Sequence, residues 1–186
     1  MSESSYRIRR TLLVGANPFV TLYADDRPTA YASLWRVDWS RWGSGSAVVL
    51  WVAGEVRVIG DDVEVAGAVE RNLVRHFDEA KELPGWGRPA VEEAPTRVEV
   101  DPEAGATAVA GDVEIRIHKP LDARPFADPD FTIRGTSHGL AMQVAPCERA
   151  RIRVAGKLLP GQPRVLWKNA RPTSSAMVTF AESWSA

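Results

Sequence analysis

Apolar and polar residues alternate with a period of two along most of the chain, the spacing that turns one face of a strand to a core and the other to water. Residues 6–14, 19–24 and 31–39 show it first, and Asn17-Pro18 marks a turn between the first two. In the third run Trp35, Val37 and Trp39 share a face opposite Leu34, Arg36 and Asp38. Residues 47–53, Ala-Val-Val-Leu-Trp-Val-Ala, are apolar throughout, short and valine-rich, which predicts a strand covered on both faces. Short strands follow at 56–59 and 63–65, across Gly54-Glu55 and Gly60-Asp61-Asp62.

Over residues 67–83 the period becomes helical. Val69, Leu73, Phe77 and Ala80 recur at intervals of three and four, Arg75 stands one turn before Glu79, and Pro84-Gly85 ends the pattern. Alternation returns at 96–100, 106–110 and 112–118, the last with Val113, Ile115 and Ile117 facing away from Glu114, Arg116 and His118. Residues 119–130 carry Pro120, Pro125 and Pro129 among Asp122, Asp128 and Asp130 and read as a long loop. Strands resume at 131–134, 138–144, 149–155, 164–167 and 173–180.

This order predicts one mainly β domain over residues 1–186: a strongly curved antiparallel sheet or closed barrel with one packed α-helix at 67–83. In outline it resembles calycin-type barrels, although the lipocalin Gly-x-Trp signature near the first strand is absent. Val-Ala-Gly occurs at Val52, Val109 and Val154, and again at Val65 before the helix. The spacings are unequal and the flanks do not align, so recurrent turn chemistry explains it better than an internal repeat.

Composition narrows the function classes. A chain of 186 residues, 45% of them hydrophobic, can bury a core unaided. Cys147 is the only cysteine, which excludes an internal disulfide and a multi-cysteine zinc site and favours a reducing, cytoplasmic setting. No secretory h-region and no apolar run of membrane-spanning length occurs, so no membrane association is expected. The 23 basic and 24 acidic side chains give a net charge of -1, which argues against nucleic acid as a partner. Metal-ligand spacings and phosphate-cradling glycine motifs are missing, so no metal and no cofactor is expected.

The candidate chemistry centres on Gly135-Thr136-Ser137-His138-Gly139, where two glycines bracket hydroxyls and an imidazole. His138 is the first choice of acid or base, with His118 at the edge of the proline-rich segment the second and Asp130 a partner carboxylate. Ser137 and His138 are neighbours that face opposite ways in extended chain, so they are not by themselves a nucleophile and base. His76 belongs with the buried face of the helix. Seven tryptophans are many, and Trp39 and Trp42, before Gly43-Ser44-Gly45, are candidates to line a ligand cavity with Ser137 and Arg134. Arg149, Arg151 and Arg153 share one strand face, where cross-strand pairing with Glu99, Glu114 and Glu64 is preferred over anion binding.

Three roles fit these residues: binding of a small apolar or amphipathic molecule in a tryptophan-lined cavity, cofactor-independent acid-base catalysis by His138 or His118, and self-association as a homo-oligomer. The segments 39–45, 119–130 and 135–139 are expected to converge on one pocket. Phe77 is expected to pack against the sheet, and Phe77→Ala to cost about 3 to 5 kcal/mol.

Overall fold

The computed structural model describes residues 9–186, so Tyr6, Arg7 and Ile8 of the first expected strand lie outside the described residues. The rest is mainly β. In chain order the elements are β1 (Thr11–Ala16), β2 (Phe19–Ala24), β3 (Arg27–Ser40), β4 (Gly45–Val52), β5 (Glu55–Gly60), α1 (Val63–Asn72), a 3-10 turn (Val74–His76), α2 (Asp78–Lys81) and β6 (Val91–Glu93). Then come β7 (Thr96–Asp101), β8 (Gly105–Ala110), β9 (Val113–Pro120), β10 (Arg124–Ile133), β11 (Thr136–Val154), β12 (Lys157–Leu158), β13 (Val165–Lys168), β14 (Arg171–Ser174) and β15 (Ala176–Ser185).

One long path of ladders runs β6-β5-β4-β3-β1-β15-β11-β9-β8-β7, with β2 beside β3 and β15, and β10 beside β11. Every pair is antiparallel except β5 with β6. The path doubles over through β11, whose first half pairs with β10 and β15 and whose second half pairs with β9. Val20, Leu34, Leu50, Ile115, Ile152 and Val178 meet between the two layers. The opposite face of β3, β4 and β5 is covered by α1, where Val65, Val69 and Leu73 pack on Tyr31, Trp35, Val49 and Trp51. The path ends at β6 and β7, and no ladder among the described residues joins them; Ala94-Pro95 carries the chain from one to the other.

Five hairpins close through two residues that both take positive φ: Asp25-Asp26, Ala53-Gly54, Arg134-Gly135, Ala155-Gly156 and Asn169-Ala170. This type I′ geometry matches the right-handed twist of paired strands. It explains two of the Val-Ala-Gly occurrences directly, since Ala53-Gly54 and Ala155-Gly156 are such turns. At Val109 the glycine, Gly111, opens the turn from β8 to β9 at positive φ, whereas Val65-Ala66-Gly67 is helical.

The expected helix differs in both bounds and continuity. Residues 63–65 are not a strand but the first turn of α1, because the Asp62 carboxylate accepts hydrogen bonds from the backbone N–H groups of Glu64 (2.9 Å) and Val65 (3.0 Å). The helix then breaks at Leu73, and Phe77 is extended, with φ −67° and ψ 146°. Arg75 does not pair with Glu79. It forms a two-pronged ion pair with the buried Glu70 (2.9 and 2.7 Å), which also accepts from Trp86 Nε1 (3.0 Å), and this contact fixes the chain where it leaves α1. The expected loop at 119–130 is corrected as well, since residues from Arg124 onward pair with β11 as β10. No helix among the described residues is long and apolar enough to cross a membrane.

Phe77 is half-buried, its ring stacked between Trp35 and Trp184 at centroid separations of 6.4 and 6.2 Å. Part of the ring faces a cavity, so the expected cost falls below that of a fully enclosed phenylalanine. Phe77→Ala should lose about 2 to 3 kcal/mol in denaturant melts, and a loss under about 1 kcal/mol would show that the stack holds nothing together.

Candidate functional site

On the outer face of β2, β15 and β11, away from the space between the layers, lies a cavity of about 340 Å³. Phe19, Met177, Val144, Met142 and Leu140 form its apolar floor, while Phe126 and Phe131 of β10 and Phe77 close over it. Within this wall Thr179, Glu182 and Trp184 project from a single strand.

Their arrangement depends on one irregularity. Strict alternation from Met177 and Thr179 would bring residues 181 and 183 to the cavity. Instead Gln143 opposes Phe180 and Ala141 opposes Ser183, so Ala181 and Glu182 together stand against Met142, with Ala181 at φ 48°. A bulge of this kind inverts the parity beyond it and turns Glu182 and Trp184 inward. Neighbouring ladders shift at the same level, between Val14 and Gly15 in the β1–β3 pairing and between Asp128 and Phe131 in the β10–β11 pairing. Gly15, opposite both Val37 and Glu182, has no room for a side chain: a Cβ there would sit 2.1 Å from the Arg36 carbonyl oxygen.

Glu182 is only 2% exposed. Trp184 Nε1 donates to one carboxyl oxygen and Thr179 Oγ1 to the other at 3.0 Å, while the Asn17 backbone N–H donates to Thr179 Oγ1 at 3.1 Å. Asn17 in turn donates through Nδ2 to Ser33 Oγ (2.8 Å), which also accepts from Trp35 Nε1 (3.0 Å). A buried polar chain thus runs from β3 to the cavity. Burial pushes the Glu182 carboxyl up to about 7, against the lowering effect of its hydrogen bonds from Trp184 and Thr179. At the rim Glu79 is exposed overall, yet protein crowding its carboxyl end, with Asp78 and Glu82 beside it, holds it above the ordinary carboxylate range. The phenol of the enclosed Tyr31 is raised too, by burial first and then by Glu79.

The residues singled out from sequence fall in several places. A second cavity, of about 380 Å³, brings together Trp42, Arg134 and His138, so segments 39–45 and 135–139 meet there, but residues 119–130 do not line it, and Arg124, Pro125 and Phe126 line the first cavity instead. Asp130 is close by, but it is paired to Arg9 Nη2 (2.9 Å) and accepts from Ser137 Oγ (3.0 Å), and no hydrogen bond joins it to His138. His138 is buried enough, and close enough to Arg9 and Arg41, to be held below the usual imidazole value. His118 stands opposite Gly105 and Arg149 in β9 and lines neither cavity. Trp39 is 51% exposed, opposite Val14. No tryptophan is among the buried residues between the layers; Trp184 is the one that lines the first cavity. Along the arginine stripe Arg153 opposes Glu114, but Arg151 opposes Arg116, and Glu64 is in α1.

Sequence reading missed Glu182, Thr179 and Asn17. The available signal was the end of alternation at Phe180, followed by an acid two residues before a tryptophan, which is the bulge seen as a lapse in pattern. Among the described residues no group of three or more His, Cys, Asp or Glu is placed to hold a metal ion. No family model, no curated protein and no solved structure matches this chain.

The displaced carboxyl gives a signed pH dependence. An ordinary glutamate titrates near 4.5 and Glu182 near 7, so between those values the folded state keeps a proton that the unfolded chain releases. Stability should fall as pH rises through that window, by on the order of 3 kcal/mol in all, and level off above it. Glu182→Gln, which can still accept from Trp184 and bond Thr179, should remove this slope. Urea melts of both proteins between pH 5 and 8 provide the check; parallel pH profiles would mean Glu182 ionises like a surface acid.

Proposed function

We propose that the protein binds a small amphipathic molecule in the Glu182 cavity, its apolar body among Phe77, Phe126, Phe131 and Met142 and one polar group against the carboxyl. The observation that carries this reading is a buried carboxyl set in the wall of a mainly apolar cavity, whose other charged lining groups are Glu79 at the rim and Arg124, the latter paired with Asp122. Small-molecule sites combine an apolar lining with a few convergent polar groups, and 340 Å³ lies within their usual size range. The reading does not depend on closure of the sheet, because the cavity lies outside the layers that a calycin-like barrel would enclose. A cytoplasmic setting suits the single buried thiol of Cys147.

A second reading is acid-base catalysis in the same cavity, with Glu182 in the role first assigned to His138 or His118. A carboxyl titrating near 7 is matched to proton transfer at neutral pH, and the enclosing aromatics would exclude water from the reacting group.

Native mass spectrometry of protein purified from its source cells tests the binding reading. A bound small molecule should be retained, and Leu140→Trp, which fills the cavity, should reduce its occupancy at least tenfold while the thermal transition stays cooperative. Protein that carries no adduct and takes up no member of a series of medium-chain alcohols or amines would overturn it.

A further inference from the structure

We propose that the face carrying Arg41, Arg134, Arg71 and Arg88 is a second binding site, for a small multiply charged anion of the phosphate class. It shares no lining residue with the Glu182 cavity, although His138 in its wall packs against Trp184 in the other, with ring centroids 6.0 Å apart.

Two cavities meet at Arg134. The first, about 380 Å³, is lined by Arg41, Trp42, Arg134, Thr136 and His138; the second, about 370 Å³, by Arg71, Arg75, His76, Arg88 and Arg134 together with Glu70. Among the described residues the one acidic side chain in their walls, Glu70, is already held by both prongs of Arg75 and by the Trp86 indole. Among the described residues Arg41, Arg71, Arg88 and Arg134 have no carboxylate within ion-pair distance, although the chain as a whole carries a slight excess of acids. Four guanidiniums without an ion-pair partner, lining two cavities that share Arg134, form a field that a single carboxylate would not neutralise. Guanidinium forks match phosphate oxygens two at a time.

Further features surround it. Both histidines in the walls are lowered, first by burial and then by positive neighbours: Arg9 and Arg41 for His138, Arg134, Arg75 and Lys81 for His76. Arg134 itself occupies the first position of the β10–β11 turn at φ 54°, a conformation that glycine or asparagine adopts more readily. Ala53 and Ala155 take the same conformation at the first position of their turns, so the geometry is general to this fold and tolerates an asparagine at 134. The guanidinium of Arg41 lies 4.8 Å over the Trp42 ring, which orients it toward the same cavity wall.

Inorganic pyrophosphate is the probe. At constant ionic strength, millimolar pyrophosphate should raise Tm by about 3 °C or more through preferential binding to the folded state. Arg134→Asn, compatible with the turn, combined with Arg41→Gln should abolish the shift, whereas Arg151→Gln on the remote sheet face should leave it intact. In wild-type protein the Trp42 indole N–H resonance should move on titration and that of exposed Trp167 should not, a readout that needs no variant to fold. Vesicles containing phosphatidic acid form a second arm: binding to them that is lost in the double variant supports the site and assigns the phosphate to a lipid headgroup. No Tm shift and no vesicle binding, a shift that survives the double variant, or one lost with Arg151→Gln would overturn the proposal.

Discussion

The two-against-one pairing of Ala181 and Glu182 with Met142 is the constraint on which the cavity depends. Without it β15 would keep its parity, the carboxyl would face away from the cavity, and Trp184 would leave the stack with Phe77. The bulge does not act alone. Gly15 lets β1 come close to Arg36 where that strand pairs with Glu182, and the β10–β11 register shifts at the same level so that Phe131 meets the edge of Trp184 at 5.4 Å. Curvature at this level of three adjacent ladders makes a concavity on a surface that would otherwise be flat.

Glu182 is costly to keep. Moving a carboxyl from water into an apolar wall is unfavourable by several kcal/mol unless it is neutral or well bonded, and here it gains two side-chain donors and a shifted protonation equilibrium rather than a counter-ion. A leucine would fit a structural role at that position with less penalty, apart from the indole N–H it would strand. The polar chain from Ser33 through Asn17 and Thr179 serves to orient the carboxyl, and such groups are retained where chemistry or recognition requires them. Glu70 offers the contrast. It is equally buried, but the Arg75 guanidinium bonds both of its oxygens and balances its charge, with Trp86 as a third donor, and its work is to hold the end of α1.

The charged groups sort by surface. Acids and bases pair across much of the molecule, as in Arg57 with Glu92 and Asp112, which joins β5 to β6 and to the β8–β9 turn. The face around Arg134 departs from that rule, and so does the open strand face where Arg151 lies opposite Arg116. Only the first is concave, and concavity separates a site that can replace an anion's water from a flat array screened by salt.

The sequence by itself determined the period-two strands, the buried run of β4, the apolar stripe of Val69 and Leu73 and the turn glycines, because each follows from contacts within a few residues. Even the grouping of Trp42 with the Gly135–Gly139 segment was legible, as two lapses in strand pattern rich in polar and aromatic groups. Other features were decided only by tertiary structure. Val63 and Val65 alternate like a strand, and it is the Asp62 cap together with packing on β4 that makes them helical. Phe77 keeps helical spacing, but the helix ends before it because Arg75 turns back to Glu70. Residues 124–130 look like a loop until β11 offers an edge for them to pair with. Glu182 shows the limit most clearly: the direction of its side chain depends on how many residues of β15 stand opposite Met142, and that register is set by strands distant in the chain, which no local pattern records.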